Sequence, residues 1–256
     1  AILSGQTIGV FKDKTSKRLA RWGLNKAKLI YLRDAEGSIA DIRSLGIKGT
    51  HIKASFDDAL FCDMAHKRTI DECLQKNEVA TSVPCVAVNV LYFQQEPAES
   101  RRIMRRIAEV CDHVASKHNA QIVFIPFHPS DSTAMEEVQR KMSKESKIID
   151  YNFDYRITKG IISRADICLT MRHHEIIFAM GTGVPTIAIA LDDYYIRKNL
   201  GALRLFNQER WLVNRDSLFS SGFMEEMVDD CFNKIREQKT IISSHLEAMR
   251  KQDGGA

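Results

Sequence analysis

The feature that most constrains this chain is a repeated alternation of short apolar runs with longer amphipathic segments. Apolar runs fall at 7–10, 28–32, 51–54, 85–90, 121–126, 147–150, 167–170, 186–190 and 211–213. Segments of helical period lie between or after them, at 14–24, 38–45, 98–118, 132–143, 154–164, 174–182, 195–200 and 223–250. Strands alternating with helices of this length call for crossover connections, hence parallel sheets in an α/β fold. The segment 98–118 shows the period well, with Ile103, Met104, Ile107, Cys111 and Val114 on one stripe. Arg101, Arg102, Arg105 and Arg106 flank it and read as a solvated face or a surface for anionic lipid. Residues 78–84 are polar and end in Ser82-Val83-Pro84, which reads as a boundary between lobes. The expected units are 1–82, the remainder of an N-terminal lobe, 83–222, a second lobe, and 223–256, one long outer helix with a frayed tail. The opening Ala1-Ile2-Leu3-Ser4-Gly5 resembles the middle of a strand, so the first lobe is expected to be incomplete at its N-terminus.

Composition narrows the function classes. The net charge of +4 is too mild for a nucleic-acid binder, and no apolar run is long enough to cross a bilayer. The 6 cysteines include no CxxC pair, and Cys85, Cys111 and Cys168 sit in apolar stretches. Reduced, buried thiols and a cytoplasmic setting follow, with no metal site expected. The chain carries no GxxxxGK[ST] loop, GxGxxG or GxSxG elbow.

Ligands of parallel sheets bind beyond the carboxyl ends of strands. Arg172-His173-His174-Glu175 follows the run 167–170 and opens an apolar helix. A guanidinium and imidazoles at a helix N-terminus suit an anion, and arginine adds a planar fork for carboxylate or phosphate. Adjacent histidines point to different sides, which disfavours a shared metal. Arg33-Asp34 follows 28–32, His128 follows 121–126, and Lys198 lies after 186–190. Singly, these residues read as local ion pairs or helix caps, as Ser130 or Asp131 would for the next helix. Together they describe a cleft for a small, multiply charged anion.

The stretch from Arg172-His173-His174 through Ala179 to Gly183-Val184-Pro185 resembles the Arg-Leu-His-x-x-x-x-Ala-x-x-x-Gly-Val-Pro segment of polysaccharide pyruvyl transferases, with His173 in place of Leu. Tyr195-Ile196-Arg197-Lys198 is similar to the family's Tyr-x-x-Lys, and Arg33-Asp34 through Ser38 to Leu45-Gly46 to its upstream segment. Asp57-Asp58-Ala59, Ile8-Gly9-Val10-Phe11 and Ile125-Pro126-Phe127-His128 resemble further motifs, with Asp58 and Val10 each replacing Pro and Phe127 replacing Gln. The likeness runs in order from about Gln6 to about Gly201, and the family's Asn-x-Gly-Asp segment is not found upstream.

The resemblance implies two Rossmann-like lobes in a glycosyltransferase B-type arrangement. It implies transfer of pyruvyl from phosphoenolpyruvate to two hydroxyls of a sugar, giving a cyclic ketal, as in exopolysaccharide and cell-envelope biosynthesis. His174 and Arg172 would be catalytic, and Arg33, Arg172, His128 and Lys198 would bind the donor. No cofactor is implied beyond phosphoenolpyruvate as donor substrate. The implied acceptor is a sugar or glycan, free or lipid-linked. A lipid-linked acceptor would be met at the inner face of the membrane by peripheral association. The alternative is a nucleotide-sugar glycosyltransferase or epimerase of the same architecture, with a diphosphate at the helix terminus. A non-catalytic sugar-binding or scaffold protein is the third class.

Overall fold

The computed structural model describes the chain apart from residues 10, 12, 50, 93–95 and 254–256. Three parallel strands, β1 (Ile2–Gln6), β2 (Leu29–Leu32) and β3 (Ile52–Ala54), form the first sheet in that order. Helix α1 (Lys14–Lys26) links β1 to β2, and α2 (Ala35–Ser44) links β2 to β3. Leu24, Ile30, Leu32, Ile42, Leu45 and Ile47 bury together beneath them as a small core. A 3-10 turn, Asp58–Phe61, and α3 (Lys67–Lys76) lead to the second sheet.

The second sheet contains β4 (Cys85–Asn89), β5 (Gln121–Phe124), β6 (Ser146–Ile148), β7 (Ile167–Thr170), β8 (Thr186–Ile189) and β9 (Leu212–Val213). Its order is β6-β5-β4-β7-β8-β9, parallel throughout. The connecting helices are α4 (Pro97–His118), α5 (Asp131–Lys141), α6 (Tyr155–Ile162), α7 (His173–Gly181) and α8 (Asp193–Arg204). Helices α9 (Arg215–Phe219), α10 (Phe223–Asn233) and α11 (Ile235–Asp253) close the chain. Both faces of the central strands are buried, which explains their unbroken apolar runs. The strand order reverses between β4 and β7, so the crevice beyond their carboxyl ends is where this topology receives a ligand. Helix α7 starts there.

Several sequence expectations change. Residues 7–9 of the run 7–10 form no strand. The first strand is Ile2–Gln6, after which Ile8 N donates to Ser38 Oγ at 2.7 Å and Gly9 turns at φ 112° against Asp41. Val10 lies outside the described residues. Helix α3 had no counterpart in the sequence reading. Although it precedes residue 83, it packs with Ile70 and Leu74 among Ile161, Ile162 and Val123 of the second sheet's layer.

The single helix expected at 223–250 is two helices broken at Lys234. The buried Gln238 amide donates to the Cys231 carbonyl at 3.1 Å, satisfying an acceptor beside the break. Helix α11 is not an outer helix along its length, because Ile242 and Leu246 bury against Leu60, Ile176 and Met180. The frayed end expected at 252–256 is helical through Asp253, and the last three residues lie outside the described set. All six cysteines are free thiols. No helix among the described residues is long and apolar enough to cross a membrane.

Three ties hold the first sheet against the second. Arg197 on α8 donates to Asp41 Oδ2 at 2.6 Å and to the Ile8 carbonyl at 3.3 Å. Lys159 on α6 donates to the carbonyls of Leu60 and Cys62 at 2.8 and 2.7 Å, and to Ala59 at 3.3 Å. Gly181 lets the 58–61 turn lie flat on α7, since a Cβ there would sit 2.3 Å from the Leu60 carbonyl oxygen. These contacts bring the carboxyl ends of β2 and β3 over the start of α7.

Candidate functional site

Strand β7 ends at Thr170, whose hydroxyl accepts from Arg172 N at 2.9 Å and turns the chain into α7. Arg172 is the N-cap residue in extended conformation, and no side chain caps the helix. Its N–H groups therefore remain an anion-favouring terminus. The Arg172 side chain does not lie free. Nε donates to Asp131 Oδ2 at 3.2 Å and Nη2 bonds Asp131 Oδ1. Asp131 is 2% exposed and also accepts from the N–H groups of Phe127 and His128 at 3.0 and 3.1 Å. One edge of the guanidinium is thus spent on orientation, leaving the Nη1 edge for a ligand.

Arg33, from the end of β2, follows the same plan. Nε donates to Thr7 Oγ1 at 2.9 Å, and Nη1 pairs with the buried Asp57 carboxylate. Burial alone would raise the Asp57 carboxyl, but His173, the Ala59 N–H and Arg33 outweigh it and hold it well below the ordinary carboxylate range. Each arginine therefore has a buried carboxylate behind it.

His174 is exposed in the cleft, yet the surrounding walls desolvate it. Burial, opposed by Asp57 and reinforced by Lys198, Arg33 and Arg172, lowers its pKa. It is neutral at pH 7 and sits in the field of three cations drawn from β2, the β7–α7 junction and α8. Lys198 is lowered to about 8, first by burial and then by Arg33, with Asp57 and Asp34 opposing. Its counterparts Arg33, Arg172 and His174 are brought into one group. His128 is not: its imidazole is exposed and meets Ser130 Oγ at 2.7 Å. It joins the cluster only through the backbone that Asp131 holds.

Other groups had not been singled out as site residues. His173 is 4% exposed, with Nδ1 at 3.1 Å from Asn199 Oδ1 and Nε2 at 3.7 Å from Asp57 Oδ2. Burial, which outweighs the opposing pull of the Asp57 carboxylate, lowers it to about 4, so at neutral pH it is uncharged and forms no ion pair. A proton on Nε2 faces Asp57 and requires Asn199 to present its amide nitrogen to Nδ1. The other tautomer would turn a lone pair on the carboxylate.

His173→Leu is expected to leave Asn199 unsatisfied and lower stability by ~1–3 kcal/mol. The sign with pH is checkable. A folded pKa of about 4 against an ordinary imidazole value of 6.5 makes the wild type lose stability as pH falls through that window. Denaturant titrations at several pH values should show a flatter acid limb in His173→Leu.

Glu175 is fully buried and raised to about 8 by burial, against a 2.9 Å bond from the Thr170 hydroxyl. It is a neutral acid at pH 7, one turn below Arg172. A cavity of about 470 Å³ opens next to Arg33, lined by Asp34, Ser55, Arg197 and Arg204 between α2 and α8. Among the described residues no cluster of histidine, cysteine and carboxylate side chains could hold a metal ion.

Comparison with solved structures places this architecture among glycosyltransferases. A glycosyltransferase from Rickettsia africae ESF-5 superposes with TM-score 0.58 at 12% identity, covering 96% of this chain and 67% of its own. Anabaena HepE in complex with UDP-glucose gives 0.56 at 15% identity, covering 94% and 64%. A UDP-forming trehalose-phosphate synthase from Burkholderia xenovorans gives 0.54 at 9% identity, covering 94% and 63%. At these identities the likeness is one of fold, the two-sheet glycosyltransferase B-type arrangement. The chain spans about two thirds of the length of these proteins. No curated protein matches it significantly. The sequence model of one family, polysaccharide pyruvyl transferase, matches residues 1–193, which include both sheets through β8 and the Arg172–His174 junction, and the chain belongs to that family.

Proposed function

We propose that the cleft binds phosphoenolpyruvate and transfers its pyruvyl group to two hydroxyls of a sugar acceptor. The observation that carries this reading is the set of three cations, Arg33, Arg172 and Lys198, around one neutral imidazole, His174. Phosphoenolpyruvate carries a carboxylate and a phosphate on neighbouring atoms, which suits two pre-oriented guanidinium edges and an ammonium. The first hydroxyl adds across the C2=C3 double bond: the π pair takes a proton at C3 as the hydroxyl oxygen bonds to C2. His174 relays the proton, accepting it from the hydroxyl and delivering it to C3, its imidazolium being disfavoured by the cationic neighbours. The second hydroxyl then replaces phosphate at C2, and its proton leaves with the phosphate. The acceptor is free or lipid-linked.

Phosphoenolpyruvate is expected to raise the melting temperature, by the equivalent of ~2.7 kcal/mol at one hundred times Kd. UDP-glucose at the same concentration should leave it unchanged; the reverse pattern would place the chain with nucleotide-sugar enzymes. Affinity should also fall as pH rises through about 8. There Lys198 loses its charge and Glu175 gains one, and both changes oppose an anion. Titration calorimetry across that range reads the slope; a flat profile would remove Lys198 from the donor site.

A further inference from the structure

His174 also faces a second, smaller space. A groove of about 160 Å³ is lined by Phe127, Tyr151, Phe153, Tyr155 and Phe178, with His174 at its wall. None of the three donor-site cations lines it. Its rim departs from what the hydrophobic effect favours: Phe153 is 87% exposed and Tyr155 52%. Two hydrogen bonds shape the turn presenting them. Asn152 Oδ1 accepts from Asp154 N at 2.8 Å, and Asp154 caps α6 by accepting from Arg156 N at 2.9 Å. Tyr151 and Phe153 pack edge to face at 4.8 Å, and Phe127 and Phe178 lie 5.6 Å apart beneath.

We propose that this groove is the subsite for a pyranose ring of the acceptor. Its size suits one sugar ring, and flat aromatic faces suit the ring's C–H face. Among the described residues no lysine or arginine lines the groove, and the nearby Arg156 is engaged by Asp154 at 2.7 Å. It therefore favours a neutral ligand over a second anion. Asn152 and Thr158 supply polar groups for hydroxyls. A ring stacked here turns its hydroxyls to His174 from one side while the donor anion occupies the other. This role rests on the pyruvyl-transfer reading, whereas sugar binding itself does not.

Saturation-transfer NMR tests it with the methyl pyranosides of glucose, galactose, mannose and N-acetylglucosamine as probes. The wild type should saturate the ring protons of at least one. Phe153→Ala and Tyr155→Ala, both at exposed positions, should each weaken that binding ~2–10-fold, and the double variant more. Phosphoenolpyruvate affinity, measured on the same samples, should not change. Equal saturation in wild type and double variant, no saturation with any probe, or displacement of the sugar by UDP would overturn the proposal. Aromatic-dependent sugar binding without phosphoenolpyruvate binding would keep the groove and remove the donor reading. The converse would do the opposite.

Discussion

Replacing His174 by alanine is expected to lower turnover by ~10²–10⁴ while leaving phosphoenolpyruvate affinity within a small factor of wild type. The separation follows from the geometry. Arg33 and Arg172 keep their own carboxylate partners, Asp57 and Asp131, when the imidazole is removed, so the donor site stays formed. Only the group that moves the proton is lost. Phosphate release in the presence of a glycan acceptor is the readout. Near wild-type turnover would reduce His174 to a wall of the cleft. Arg172→Lys should behave differently, because it forfeits both the two-nitrogen pairing with Asp131 and the planar edge offered to the ligand.

The second large effect is on stability. Lys159→Met keeps the aliphatic stem and removes the ammonium that three carbonyls of the 59–62 segment share. Those acceptors are left without their donor inside the protein, for an expected loss of ~2–4 kcal/mol. Asp57, which holds Arg33, caps the turn that runs into this segment. Donor affinity should therefore fall together with the urea midpoint. An unchanged midpoint would mean that the turn is held by the packing of Leu60 on α7 and α11 without help from the ammonium.

Much of this arrangement was legible in the residues. Strand β7 and the start of α7 follow from an unbroken apolar run that ends in Arg172-His173-His174, because a strand buried on both faces tolerates no polar residue before its end. What stayed hidden depends on contacts between distant positions. Asp131 reads as an ordinary helix-start residue, and its bond to Arg172 appears only when β5 and β7 lie on either side of β4. His173 reads as a departure from an apolar position. Its partners Asp57 and Asn199 come from the other lobe and from α8, and a buried histidine's need for partners was the available signal. The break at Lys234 was invisible because Cys231 and Ile235 keep helical spacing across it. Helix α3 went unseen because only Ile70 and Leu74 mark its buried side.

Diffraction from crystals soaked with phosphoenolpyruvate tests the central claim most directly. The account predicts the donor at the start of α7, its carboxylate and phosphate oxygens ~2.7–3.2 Å from side-chain nitrogens of Arg33, Arg172 and Lys198, with C3 turned toward His174. Phosphoenolpyruvate bound away from all three cations, or a saturated crystal with this cleft unoccupied, would contradict it.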